Sequence, residues 1–124
     1  MDEAQGRITD AIRRLRERVR WRPGKNTQHL AKRIELGHLP VGTTLAEYEA
    51  IIIRVISTSI AEVFVYRWGN TVYPTIVAEV ERVRWLVMVS LDSVMETAFP
   101  PEDPETYVAN PRFQRLGTLE ELGL

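Results

Sequence analysis

Apolar positions in the first half of the chain recur at helical spacing, and those in the second half recur at strand spacing. Ile8, Ile12, Leu15 and Val19 are separated by four, three and four residues, the stripe of an amphipathic helix over about residues 3–20. Pro23-Gly24 ends that element. Leu30, Ala31 and Ile34 form the apolar face of a short second helix, with Asn26 or Thr27 as its cap and Gly37 as its stop. His29, Lys32 and Arg33 project away from that face. A third helix opens at Thr44, where Thr44-Leu45-Ala46-Glu47 has capping-box spacing. Leu45, Tyr48, Ile52, Val55 and Ile56 lie on one side of it, so it is the helix expected to lie on a sheet.

From residue 63 onward the period changes. Val63 to Arg67 and Thr71 to Glu79 read as two strands around a Trp68-Gly69-Asn70 turn. Pro74 lacks an N–H and places its strand at an edge, a bulge or a break. The run Val83, Trp85, Leu86, Val87, Met88, Val89 and Leu91 is apolar at both parities, as a strand covered on both faces must be. Asp92-Ser93 turns the chain, and Val94 to Phe99 is the partner strand, with Thr97 between Met95 and Phe99 on one parity. Pro100-Pro101 closes the sheet, and residues 102–115 read as an ordered arm, followed by one helical turn capped at Thr118. The expected fold is α+β: N-terminal helices, then a four-stranded antiparallel β-meander with helices on one face. It is a single domain over residues 1–124, with an arginine-rich helix at 1–22, a helix-and-sheet core at 26–99 and a C-terminal arm at 100–124.

Composition narrows the class of function. The 124 residues are 44% hydrophobic and 27% charged, an ordinary globular balance. No run approaches the length of a membrane span, and the polar N-terminus carries no signal-peptide core, so a cytoplasmic protein without membrane association is expected. The absence of cysteine removes disulfides, thiol nucleophiles and thiolate metal sites. Net charge is −1, but residues 1–38 carry ten Lys/Arg against five Asp/Glu, and residues 39–124 carry six against twelve. A basic half can steer an anionic partner.

The two histidines, His29 and His38, flank one short helix and its loop. His29 beside Lys32 and Arg33 joins a proton acceptor to fixed positive charge, the pairing that phosphoryl transfer or RNA cleavage uses. His29, Glu35 and His38 match no zinc or calcium spacing, so no metal is expected, and the absence of GxxxxGK[ST] and GxGxxG leaves no nucleotide cofactor to invoke. On the sheet, Tyr66, Arg67, Tyr73 and Arg84 are candidates to reach a shared RNA-binding surface, with the tyrosines stacking on unpaired bases or on each other. Thr97 is either a satisfied hydroxyl or a phosphate ligand. Trp21, Trp68 and Trp85 read as packing residues.

Three segments carry a family resemblance: His29-Leu30-Ala31-Lys32-Arg33, the helix opened by Thr44 to Ile51, and strands closing on Thr97-Ala98-Phe99. Over about residues 26–101 the chain resembles the phage-associated branch of the barnase–EndoU–colicin–RelE-like ribonuclease superfamily. That resemblance implies metal-independent cleavage of RNA by attack of the ribose 2′-OH on phosphate. It places His29 or His38 as acid–base, Arg33 with Lys32 or Arg67 on the developing charge, and Thr97 on the phosphate. The rival reading is a non-catalytic domain, antitoxin-like or a phage accessory protein, that binds a protein partner, a second copy or nucleic acid. An open edge near Pro74 and the apolar residues of the first helix would suit a homodimer.

Overall fold

The computed structural model describes residues 3–124. Three helices come first: α1 (Glu3–Glu17), α2 (Lys25–Glu35) and α3 (Leu45–Val55). Then come β1 (Glu62–Trp68), β2 (Thr71–Val80), β3 (Val83–Val89), β4 (Met95–Phe99), the short α4 (Pro104–Val108) and β5 (Phe113–Thr118). All strands pair antiparallel, in the order β4-β3-β2-β1-β5. No helix among the described residues is long and apolar enough to cross a membrane.

The sheet therefore has five strands where the sequence pattern gives four. The fifth comes from the segment read as an arm, and it adds to β1. Its parity is broken by a bulge: Val63 pairs with Gly117 but Phe64 pairs with Arg115, so Leu116 is an extra residue. Phe113 joins one side of the sheet and Leu116, of opposite parity, packs on the other. With polar Gln114 and Arg115 between them, the segment shows no apolar–polar alternation.

The main core lies between one face of the sheet and α1 and α3. Ile8, Ile12 and Leu15 of α1 and Tyr48, Ile52 and Val55 of α3 meet Val63, Val65, Ile76, Trp85 and Val87. Of the apolar stripe of the first helix, Ile8, Ile12 and Leu15 are buried in the chain's own core, and Val19 is half-buried. Thr44 and Glu47 form the reciprocal capping box that opens α3. Ser93, buried in the β3–β4 turn, donates to the carbonyl of Ala11 at 2.8 Å and pins α1 to the far end of the sheet.

Helices do not cover one face alone. Phe64, Val77 and Leu86 form a second apolar cluster on the opposite face, with Val108 of α4 and Phe113 of β5 packed against it. Pro74 sits in β2, an interior strand, but the β2–β3 ladder begins only at Thr75, so proline occupies a position that β3 does not pair. The edges of the sheet are β4 and β5, not the strand of Pro74.

Two local features shape the region where α2 meets β4. The chain enters α2 through Gly24 in the left-handed region (φ 78°), with no side-chain cap; Asn26 and Thr27 lie inside the first turn. A second bulge interrupts β4: Val89 pairs with Met95 but Met88 pairs with Thr97, leaving Glu96 as the extra residue. Met95 and Ala98 consequently face the helix-side core, while Phe99 joins the second cluster. Thr97, opposite Met88 of that cluster, does not share a face with Met95 as simple alternation requires.

Candidate functional site

The candidate site is built where α2 packs on α3 and on β4, the edge strand. Leu30 and Ile34 hold α2 against the main core. One turn away, Arg33 is not the solvent-facing cation its charge suggests: it is 8% exposed. Its guanidinium lies 5.5 Å from the centre of the Phe99 ring, a cation–π contact across the sheet edge. The bulge at Glu96 makes this possible by turning Phe99 to that side.

Gly37 brings the second histidine in. At φ 75° it reverses the chain after α2. Its N–H then bonds the Ile34 carbonyl at 3.0 Å, and the His38 N–H bonds the Arg33 carbonyl at 2.8 Å. This is a Schellman closure, and it fixes His38 to the backbone of Arg33. His29 lies one helical turn before Arg33, its ring 5.3 Å from that of Trp21. Trp21 in turn packs 5.9 Å from Tyr48 and donates from Nε1 to Glu49 at 2.8 Å. Tyr48, fully buried, donates its hydroxyl to the carbonyl of Ala98 at 2.6 Å and so holds β4 between Thr97 and Phe99. Lys25, Gln28, His29, Lys32 and Arg33 line an open depression of about 550 Å³ on the outer side of α2.

The electrostatics of this cluster are unusual. A buried cation is ordinarily paired with a carboxylate. Among the described residues no carboxylate forms an ion pair with Arg33, and its Nε has no hydrogen-bond partner. The Nδ1 of His38 is likewise buried and unbonded. Glu96, the acid of β4, is bound by Arg22. Burial, followed by the charges of Arg33 and Lys25, pushes the His29 imidazole below its usual value, and Glu96 opposes this. Burial and then Arg33 do the same to His38, opposed by Glu102. Both rings are therefore biased to the neutral, proton-accepting form at neutral pH. Burial raises the Tyr48 phenol to about 12, which keeps it a protonated hydrogen-bond donor.

Arg33 thus acts electrostatically on both His29, one turn before it in α2, and His38, in the turn after α2, and α2 packs on the strand that carries Thr97. Thr97 itself is half-buried, two residues before the ring on which Arg33 lies. Lys32 is exposed and pairs with Glu35 at 3.8 Å. The other residues read as a shared surface are divided by the sheet. Tyr66 and Tyr73 face each other at 6.5 Å on the second face, with Tyr66 4.8 Å from Phe113. Arg84 is held there by Glu62 at 3.3 Å and Glu105 at 3.7 Å. Arg67 shares the parity of Val63 and Val65 on the helix side and donates to Gln114 at 2.9 Å. None of these four contacts His29, Arg33 or His38.

Trp21, Tyr48, Glu96 and Glu102 belong to the site's surroundings, and no sequence pattern singles them out for it. Tyr48 is hidden within the apolar stripe of α3, and Trp21 lies in a linker. No group of three His, Asp or Glu residues among those described is arranged to hold a metal ion. Comparison with known proteins finds no family model, no curated protein and no solved structure that matches the chain.

Proposed function

We propose that this chain is a small metal-independent ribonuclease, or a close derivative of one, whose phosphate site is the guanidinium of Arg33. The observation that supports this reading most is a buried arginine with no protein anion, flanked by two imidazoles held neutral. Such a cation is stabilised by an incoming phosphodiester, and the neighbouring rings supply the proton traffic. One imidazole accepts the 2′-OH proton as O2′ bonds to phosphorus. The P–O5′ bond breaks, and the 5′ oxygen takes its proton from the imidazolium that formed when the 2′-OH proton was accepted. The products are a 2′,3′-cyclic phosphate and a 5′-hydroxyl. Arg33 stabilises the extra charge of the phosphorane, and Thr97 is the candidate to orient a non-bridging oxygen. This is the chemistry that the resemblance to barnase–EndoU–colicin–RelE-like ribonucleases implies.

The test is cleavage of single-stranded RNA by the purified chain in EDTA. His29→Ala or His38→Ala is expected to lower the rate by roughly 10²–10⁴-fold, and Arg33→Met by about 10²–10³-fold. Wild-type rates in all three variants would remove the site. A non-catalytic reading rests on the same uncompensated cation: RNA retained in a salt-sensitive manner, with no product, would favour a binding domain.

A further inference from the structure

A second feature adjoins this site and takes no part in the chemistry above. Between the end of α1 and the outer side of α3 runs a groove of about 780 Å³. Val19, Leu45 and Ile53 give it an apolar floor, and Arg16, Arg18 and Arg20 line its rim. The side chains of Arg16 and Arg20 are held by backbone carbonyls, not carboxylates: Arg16 Nε donates to Ile56 O at 2.8 Å and Arg20 Nη2 to Asp92 O at 2.8 Å. None of the three arginines forms an ion pair with a carboxylate of the described residues. Two acids share the wall, Glu17, which is exposed, and Glu49, which accepts from the indole N–H of Trp21, so the three arginines and two acids sum to +1. Trp21 is the wall shared with the site: it lines the groove and places its ring 5.3 Å from that of His29.

We infer that this groove carries the unpaired RNA strand on one side of the scissile phosphate, with Arg16, Arg18 and Arg20 on its phosphates and Trp21 with the apolar floor under its bases. The inference rests on the proposed ribonuclease reading, and it adds the substrate class. Positive charge fixed by neutral carbonyls remains available to an anion, whereas charge fixed by carboxylates does not. An apolar floor suits the faces of splayed bases, which a single strand offers and an A-form duplex keeps stacked inside. The groove takes three of the ten Lys/Arg of residues 1–38. The arginines hold the strand there; they take no part in proton transfer.

The experiment measures binding of a short fluorescein-labelled oligouridylate by anisotropy, across a range of salt concentrations, in the full chain carrying His29→Ala so that cleavage is slow compared with the measurement. Adding Arg18→Ala and Arg20→Gln is expected to weaken binding about tenfold at moderate salt. The slope of log K against log salt should shrink by about 1.4, since each single-strand phosphate that an arginine neutralises accounts for about 0.7. With the histidine restored, the same pair should raise KM for cleavage and leave kcat unchanged. Thermal melts of each variant confirm that the fold is kept, since Arg18 is exposed and glutamine can still donate. Unchanged affinity and slope overturn the inference, as does equal binding of duplex RNA or tighter binding of polyglutamate. If the arginine variants bind weakly as expected but the native chain cuts no RNA, the groove stands and the ribonuclease reading falls. If the native chain cuts RNA and the arginine variants match it in KM and slope, the groove falls and the ribonuclease reading stands.

Discussion

Replacing Arg33 by methionine tests whether its burial serves binding or stability. Methionine keeps the aliphatic stem and removes the charge, so packing against Phe99 is largely preserved. Two terms oppose each other. Removing the cation–π interaction, at 5.5 Å, costs about 0.5–2 kcal/mol. The unbonded Nε, buried with its group, disappears, which relieves about 1–3 kcal/mol. The balance is a gain of about 1 kcal/mol. For a chain of 124 residues, with an unfolding entropy of about 2.1 cal/mol/K per residue, this raises Tm by about 4 °C. Inorganic phosphate should do the reverse between the two proteins. At a hundred times its Kd it stabilises the native chain by about 2.7 kcal/mol, or roughly 10 °C, and leaves Arg33→Met unmoved. The assay is thermal melting with and without phosphate, matched for ionic strength with chloride. A loss of several kcal/mol in the variant, as when one partner of a buried ion pair is removed, would refute the reasoning. So would an equal phosphate response in both proteins.

Acid should weaken the fold through the two histidines. Their folded-state values lie below 6.5, so between those values and 6.5 the unfolded chain binds more protons than the folded one. Their contribution is fully present above pH 6.5 and is lost as pH falls through the folded-state values. Urea unfolding at pH 7 and 5 should show this decline, and His29→Gln with His38→Gln should flatten it; an unchanged pH slope in that double variant would refute the assignment. Tyr48→Phe removes the bond to the Ala98 carbonyl and should cost about 1–2 kcal/mol, or about 4–8 °C in Tm; a shift under 1 °C would mean that the clamp on β4 carries no weight. Gly37→Ala places a Cβ in the left-handed region, where nothing crowds it but the backbone itself resists, and should cost about 1 kcal/mol. Gly37→Asn should cost less, because asparagine tolerates that conformation. Equal melting of the two would argue against the Schellman closure.

What the sequence disclosed followed from periodicity and caps. The stripe Ile8, Ile12, Leu15 and the pair Thr44 and Glu47 each gave an element close to the one observed, because each acts through neighbours a few residues away. The first two strands and the long apolar strand were legible for the same reason. Three things were not. The strand Phe113–Thr118 puts its two apolar residues on opposite faces, and the placement of Thr97 depends on a bulge, so neither shows the alternation by which strands are recognised. The burial of Arg33 depends on Phe99, sixty-six positions away, and a cation in a helix is ordinarily assigned to solvent. Tyr66, Arg67, Tyr73 and Arg84 looked like one surface because each is polar on a strand; alternation already puts the adjacent Tyr66 and Arg67 on opposite faces, whereas the register that sets Tyr73 beside Tyr66 comes only from the assembled sheet. The candidate site was thus half visible: its histidines and arginine could be named, but not the ring, the bulge and the missing counter-ion that give them their chemistry.

The most direct measurement compares two RNAs in EDTA, one all-ribose and one with a single 2′-deoxy nucleotide on the 5′ side of the bond cut in the first. The account predicts that the all-ribose strand is cut to a 2′,3′-cyclic phosphate and that the substituted bond is spared. It is contradicted if the substituted bond is cut at the same rate, or if neither strand is cut at any pH between 5 and 9.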